Sequence, residues 1–117
     1  MTWTALEGVL EASGYPYARQ GSYAESEELP PTFLTFWNID VPSDSFYDDD
    51  AHRRIWRWQI YLYTKDPRLL YSVLDDVLAD AKSRGFVIEV NARDIETDTP
   101  DYVGRTARIL YSETLYE

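Results

Sequence analysis

Cysteine is absent from the 117-residue chain, which excludes disulfides, thiolate metal sites and cysteine nucleophiles. The five glycines are scattered and none belongs to a phosphate-binding loop, so nucleotide binding has no support. No apolar run approaches the length of a membrane span, and no basic segment followed by an apolar one opens the chain. We therefore expect a protein that is made and kept in a cytoplasm, without a membrane contact.

Positive charge is also scarce. Lys and Arg number 11 against 21 Asp and Glu, which gives a formal net charge of −10. Such a chain repels phosphates and anionic membrane surfaces, so non-specific nucleic-acid binding is disfavoured. Hydrophobic residues make up 44% of the chain, enough for one core in a single domain over residues 1–117. Aromatic residues reach 15%, a content typical of surfaces where proteins meet.

The N-terminal part of the chain predicts one helix and little other regular structure. Residues 4–13 place apolar side chains on one helical face, with a capping box that begins at Thr4. Gly14 supplies the helix end. Residues 15–29 are expected to be irregular, with at most a short extended piece at Tyr17-Ala18.

Two strands follow, joined by an acidic loop. Pro30-Pro31 favours an extended backbone, and a strand is predicted over Thr32–Ile39. Both faces of this strand are largely apolar, so it is expected to lie in the interior of a sheet or under a partner chain. Residues 40–51 are a loop by their Pro, Ser and Asp content. Residues 53–64 alternate strictly, with Trp56, Trp58, Ile60 and Leu62 as the inward set.

The C-terminal half predicts a second helix and a hairpin. Asp66 is expected to cap the helix with Pro67 at its first position, and Gly85 to end it. Residues 86–90 and 103–112 read as strands, and residues 91–101 as a polar connection. The order is thus αββαββ. We expect an α+β domain with a mainly antiparallel four-stranded sheet and two helices packed on one face.

The acidic loop is the best candidate for a chemical site. Asp44, Asp48, Asp49 and Asp50 offer oxygen ligands of the kind that Ca²⁺ or Mg²⁺ prefers. The spacing does not follow the EF-hand pattern, and three consecutive Asp side chains cannot all reach one ion on an ordinary backbone. His52 next to this run permits an acid–base pair, but Ser43 and Ser45 lack a nucleophile elbow. We expect no catalytic residue, no metal ligand and no cofactor.

Aromatic and basic residues around the loop suggest a protein contact instead. Arg53 and Arg54 precede Trp56, and basic and aromatic residues in this combination can bind and stack on nucleic acid. We favour ion pairs between these arginines and the neighbouring Asp run, either within the chain or across a subunit interface. Phe46 and Tyr47 stand between acidic residues. Such a pair either folds back on its own domain or inserts into a neighbour as an anchor.

Three segments together resemble a known family. They are PPTFLTF at residues 30–36, SDSFYDDD at residues 43–50 and WQIYLYTKDP at residues 58–67. Their order is similar to that in small siphophage and prophage tail-terminator, or tail-completion, proteins. The resemblance runs from about residue 29 to residue 85 and continues loosely to residue 111. It departs at Trp56-Arg57-Trp58, which is more aromatic than the family pattern, and at residues 86–102, which are less recognisable.

The resemblance implies a structural, non-enzymatic role in the virion, in a particle assembled in the host cytoplasm. Proteins of this family form a ring, usually a hexamer, on the head-proximal end of the tail tube. The implied partners are further copies of the chain, the major tail tube protein and the head–tail connector, with DNA passing through the ring without specific binding. The alternatives are a head-closure or adaptor protein on the portal side, and a small metal-binding or metal-dependent module built on the Asp44 to Asp50 loop. The residues expected at a partner or subunit contact are Phe46, Tyr47, Asp48, Asp49, Asp50, Arg53, Arg54 and Trp37.

Overall fold

The computed structural model describes residues 2–19, 30–39, 53–97 and 101–114, which contain two helices and five strands. The elements in chain order are α1 (Thr2–Ala12), β1 (Tyr17–Arg19), β2 (Thr32–Ile39), β3 (Arg53–Thr64), α2 (Leu69–Ser83), β4 (Val87–Ile95) and β5 (Val103–Thr114). The strands form one sheet in the order β1-β2-β3-β5-β4. The expected α+β class is confirmed.

β2 and β3 have the bounds that the sequence predicts. β2 and β3 pair antiparallel from Thr32 opposite Thr64 to Ile39 opposite Arg57. The hydroxyl oxygens of Thr32 and Thr64 lie 2.8 Å apart at the buried end of this pair. β2 lies between β1 and β3, so it is an interior strand, which accounts for its two apolar faces.

The sheet differs from the expected four-stranded antiparallel arrangement. It has a fifth strand, β1, which runs parallel to β2 with Tyr17 opposite Leu34. The amide of Leu34 donates to the carbonyl of Pro16 at 2.9 Å, so this contact begins just before β1. The sheet is therefore mixed. The prediction failed because a three-residue strand has too little length for a periodic pattern, and its pairing depends on β2 rather than on local sequence.

The edge strand β4 is longer than predicted. Residues 91–101 were expected to be a polar connection, whereas β4 continues to Ile95. Its exposed residues alternate with half-buried ones, because the strand lies at the sheet margin and only one side of it meets the core. A polar edge strand of this kind reads like a loop in the sequence.

Both helix starts differ from expectation. α1 begins at Thr2, so Thr4 lies inside the helix and does not open a capping box. α2 begins at Leu69, and Arg68 precedes it without a side-chain cap. Asp66 does accept a hydrogen bond from the Arg68 backbone amide at 3.0 Å, but in a turn that comes before the helix. The bonded Arg68 side chain also lowers the pKa of Asp66.

The core lies between the two helices and one face of the sheet. β3 contributes Trp58, Ile60 and Leu62, the inward residues that its alternation predicts. The other buried members are Leu6, Val9, Leu10, Leu34, Phe36, Val73, Leu74, Val77, Ala81, Phe86, Ala107 and Ile109. They come from both helices, from β2 and β5, and from the residue before β4. The sheet is thus the second layer of a two-layer domain. No helix in the described part of the chain is long and apolar enough to cross a membrane.

A side-chain hydrogen bond joins β1 to α1 and gives a pH-dependent prediction. The Tyr17 hydroxyl donates to Glu11 Oε1 at 2.7 Å, and chiefly this hydrogen bond raises the pKa of Tyr17 from 10.0 to about 12. Since the folded-state pKa is raised, the contact stabilises the fold fully below pH 10 and loses its effect as the pH rises through about 12. Phenolate absorbance, taken as the difference from Tyr17→Phe, should show the late titration. Glu11→Ala should return it toward the ordinary value, and an unchanged titration would contradict the assignment.

Candidate interaction surface

The sheet face turned away from α1 and α2, which we call the outer face, carries the side chains that alternate with the core residues. On the three central strands these are Phe33, Thr35, Trp37, Arg57, Gln59, Tyr61, Tyr63, Thr106 and Arg108, as the strand register shows. Phe33, Thr35, Gln59 and Thr106 are buried, although the two described helices lie on the opposite side. The outer face is therefore not an ordinary solvated sheet surface.

A hydrogen-bond network occupies the middle of the outer face. The Thr106 hydroxyl donates to the carbonyl of Ile60 at 2.9 Å and accepts from Gln59 Nε2 at 2.6 Å. Arg108 Nε donates to Gln59 Oε1 at 3.1 Å, so the amide of Gln59 is held on both sides. The network fixes the Arg108 side chain above the two buried polar residues.

Thr106→Val should destabilise the domain by about 1–2 kcal/mol, because valine keeps the shape and leaves the buried Gln59 amide without an acceptor. Thr106→Ser retains the hydroxyl and is the matched control. Urea denaturation of both variants measures the difference. Equal losses for the two would mean that the methyl group, and not the hydrogen bond, carries the effect.

An ionic cluster adjoins the network. Arg57 Nε lies 2.9 Å from Glu89 Oε2 and 3.1 Å from Glu89 Oε1, and Arg108 Nη1 lies 3.7 Å from Glu89 Oε1. The register of β4 against β5 shifts between Ile88 and Val90, which leaves two β4 residues opposite Arg108. This is a β-bulge, a feature that commonly re-aims a side chain. Here it accompanies the placement of Glu89 between two arginines from two different strands.

Large apolar side chains surround the ionic cluster and remain open to solvent. Trp37 is 45% exposed, Ile55 is 38% exposed and Val87 is 55% exposed. The register puts Trp37 opposite Gln59 and Val87 opposite Leu110, on the outer face. The outer-face patch consists of Trp37, Ile55, Arg57, Val87, Glu89, Arg93 and Arg108. Three arginines and one glutamate give it a formal charge of +2 on a chain whose net charge is −10.

The other end of the outer face is closed by aromatic contacts. The ring of Phe33 packs against Tyr63 at 5.3 Å and Tyr102 at 5.7 Å, and Tyr61 stacks on Tyr63 at 6.2 Å. The Tyr102 hydroxyl donates to the carbonyl of Pro30 at 2.6 Å. These rings pack against one another within the domain. The large exposed aromatic side chain of the outer face is Trp37, at the opposite end.

A second cluster lies on the helix side, between α2 and β4. Arg105 stacks over the ring of Tyr71 at 4.5 Å from its centroid and donates to the carbonyl of Ala92 at 3.1 Å. Its Nε lies 3.2 Å from Asp94 Oδ1, an ion-pair distance, although the N–H is not aligned for a hydrogen bond. Asp75 lies 3.5 Å from Nη1. Tyr71, Asp75 and Asp94 thus surround this arginine on the helix side of the sheet.

The described sheet edges offer little room for a further strand. β1 has three residues, and β4 carries two register shifts along its length. Glu89, Arg93 and Asp94 add charges to β4. Short edges, bulges and charges are features that prevent a strand from another chain from pairing. Contacts with a partner are therefore expected through side chains on the faces of the domain.

The structure describes part of the surface that the sequence predicts. Trp37 is exposed on the outer face. Arg53 and Arg54 begin β3, with Arg54 opposite Glu113 in the register. The predicted contact residues Phe46, Tyr47, Asp48, Asp49 and Asp50 lie outside the described residues, as does the whole of the expected loop at residues 40–51. Among the residues that are described, no group of three or more His, Asp or Glu side chains is placed to hold a metal ion.

Several members of the outer-face patch have no counterpart in the sequence prediction. Glu89 and Arg108 come together only when β4, β5 and β3 are in register. Val87 and Ile55 look like ordinary strand residues in the sequence. The one local signal is Arg57, a charged residue within a run of aromatic and aliphatic ones.

The fold and its surface define a two-layer α+β domain with an exposed apolar and basic patch on the outer face of its sheet. Comparison with protein-family models finds no match, and no curated protein matches the sequence. The functional argument therefore depends on the geometry and on the three sequence segments.

Proposed function

We propose that this protein is a non-enzymatic structural subunit of a siphophage tail, a tail terminator. In this role it forms an oligomeric ring on the head-proximal end of the tail tube, ends tube polymerisation and joins the tail to the head connector. The order of the segments at residues 30–36, 43–50 and 58–67 supports the family. The outer-face patch supports an assembly role, because it is the observation that points to a protein partner.

The chemistry of the patch suits a protein contact. Interface residues that carry most of the binding energy are enriched in Trp and Arg, and they lie next to contacts that exclude water. Trp37 supplies a large exposed ring, and Ile55 and Val87 supply apolar area. Arg57 and Arg108 are already held by Glu89 and Gln59, so little side-chain freedom is lost when a partner binds.

Sedimentation velocity and native mass spectrometry of the purified chain, alone and with major tail tube protein, test the proposal. We expect a ring to form, either alone or on the tube, and tubes capped at one end to stop growing. Trp37→Ser should reduce the amount of ring, because it removes the largest exposed apolar side chain of the patch. A chain that stays monomeric and has no affinity for the tube would refute the proposal.

The same experiment separates the alternatives. Binding to the connector without binding to tube protein would assign the chain to the portal side of the neck. A metal-dependent module would instead show a higher melting temperature in Ca²⁺ or Mg²⁺, since an ion that binds only the native state must stabilise it. We expect no such shift.

A further inference from the structure

We infer that the outer-face patch of one copy binds the acidic segment of a second copy, by which we mean residues 43–50 with the sequence SDSFYDDD. Arg108 binds a carboxylate of this segment, and Trp37 packs against one of its aromatic rings. The inference rests on the self-association in the proposed function and adds the binding site and the segment that occupies it.

The binding site follows one row of side chains across the sheet. Trp37 lies opposite Gln59, and Gln59 lies opposite Arg108, so the three side chains stand next to one another on the outer face. Neighbouring strands are about 4.8 Å apart, which separates Trp37 from Arg108 by roughly 10 Å. An occupant that meets both therefore needs a large apolar group and a charged group at about that distance.

Arg108 is prepared for a carboxylate. Its Nε donates to Gln59 Oε1 at 3.1 Å, and Gln59 is held in turn by Thr106. Its Nη1 lies 3.7 Å from Glu89 Oε1, longer than a hydrogen bond, and its side chain is 37% exposed. A planar guanidinium that is fixed at Nε presents its two terminal nitrogens in the geometry of a bidentate carboxylate contact.

The charge of the patch favours an acidic occupant. The patch carries a formal charge of +2, and residues 43–50 contain four aspartates and no basic residue. Potentials of opposite sign across an interface steer association and fix its orientation. Nucleic acid also carries negative charge, but the net charge of −10 on the whole chain repels phosphates. A protein segment rich in carboxylates is therefore the better match.

The order of residues in the acidic segment fits the row. Phe46 and Tyr47 are followed by three aspartates at residues 48–50, so each ring has a carboxylate two or three positions later. Two or three residues of chain span at most roughly 7–10 Å. The same segment can therefore supply a ring for Trp37 and a carboxylate for the arginine. Aromatic pairs of this kind are stable in stacked and edge-to-face arrangements.

The occupant is a second copy because the patch is open in the single chain. Trp37, Ile55 and Val87 are all exposed there, although they are large apolar side chains. Each copy has one such site and one acidic segment. A contact between two different surfaces repeats from copy to copy and closes into a ring when the rotation permits.

Two altered chains test the inference, one on each side of the contact. Phe46→Ser with Tyr47→Ser removes the rings of the segment and keeps the site. Trp37→Ser with Arg108→Gln removes both anchors of the site and keeps the segment. In sedimentation velocity, each altered chain should stay monomeric at concentrations where the unaltered chain associates, alone or with tube protein. An equimolar mixture of the two should form one-to-one dimers, because each keeps the surface that the other lacks.

Controls separate the contact from folding and from net charge. Circular dichroism and urea denaturation check that both altered chains fold. Trp37→Ser with Arg93→Glu leaves the hydrogen bonds of Gln59 intact, and it replaces the site variant if Arg108→Gln does not fold. Lys82→Gln removes one positive charge from the exposed end of α2, as Arg108→Gln does from the patch, and it should associate like the unaltered chain.

A peptide titration measures the site directly. The probe is an acetylated and amidated peptide of residues 43–50, added to the Phe46→Ser, Tyr47→Ser chain and followed by calorimetry. Adding Trp37→Ser to this chain should weaken binding by about tenfold or more, as expected for an anchoring residue. A peptide with Asn in place of the four Asp residues should bind by about tenfold more weakly, and salt should weaken binding of the original peptide.

The outcomes distinguish the inference from the proposed function. Association of both altered chains at the level of the unaltered chain would overturn the inference and leave the proposed function standing. Equal binding of the Asp and Asn peptides would also overturn it. A peptide that binds the segment variant but not the unaltered monomer, with a mixture that stays monomeric, would assign the segment to its own domain and exclude the second copy. An unaltered chain that associates neither alone nor with tube protein would overturn the proposed function as well.

Discussion

Trp58→Ala should lower the free energy of unfolding by about 3–5 kcal/mol, the usual range for removal of a large aromatic side chain from a packed core. Trp58 is 3% exposed on the inner face of β3, and its ring packs against Phe36 at 6.0 Å and Trp56 at 6.2 Å. Urea denaturation measures the loss. The slope of the unfolding free energy against urea should stay unchanged if the variant still unfolds in one step.

Trp37→Ala is the matched control, because it removes the same side chain from the opposite face of the adjacent strand. Its exposed position predicts a loss below about 1 kcal/mol. A similar cost for the two tryptophans would contradict the assignment of inner and outer faces. It would also remove the reason for placing Trp37 at a partner contact.

Arg105→Met should lower the free energy of unfolding by about 2–3 kcal/mol. The Arg105 side chain is only 12% exposed and joins β5 to Tyr71 of α2 and Asp94 of β4. Asp75 and Asp94 are more than half exposed, so they are rehydrated when the arginine is removed, and the loss stays below that for a fully buried pair. Thermal and urea unfolding measure the effect.

Arg68→Ala provides the contrast, because Arg68 also pairs with an aspartate, Asp66, but its side chain is almost fully exposed. The urea midpoint of Arg68→Ala should equal that of the unaltered chain, since exposed ion pairs contribute little to the free energy of unfolding. Arg105→Lys keeps the charge and loses the planar group that stacks on Tyr71, so it should fall between the native chain and Arg105→Met. Full stability in Arg105→Lys would mean that the charge alone matters.

The central hairpin could be read from the sequence because its signals are local. β2 follows Pro30-Pro31, and β3 is a strict alternation that ends before Asp66-Pro67. β1 and the extension of β4 could not be read in this way. β1 exists because of its parallel pairing with β2, and β4 is polar because it lies at the margin of the sheet. Both depend on tertiary contacts that a short window does not contain.

The outer-face patch likewise has one part that the sequence predicts and another that depends on tertiary contacts. The alternation of β3 places Arg57 on the face opposite the core, and this follows from period two alone. Its partner Glu89 is far away in sequence and meets it because of strand order and a bulge. Trp37 was expected at a contact; it is exposed on the outer face, and its place in a contact stays a prediction. The charge of the patch could not be foreseen, because it is a sum over three strands.

The pairing of β3 with β5 has a consequence for how the chain folds. Thr64 pairs with Val103 and Arg53 with Thr114, so the partners are roughly forty to sixty residues apart in sequence. Sheets closed by such distant strands form slowly, in about milliseconds to seconds, because the connecting chain must lose its freedom first. During synthesis at roughly 5–20 residues per second, the inner face of β3 waits several seconds for its partner strand. The outer-face patch contains Arg108 of β5, so this patch is complete only after β5 has left the ribosome and paired with β3.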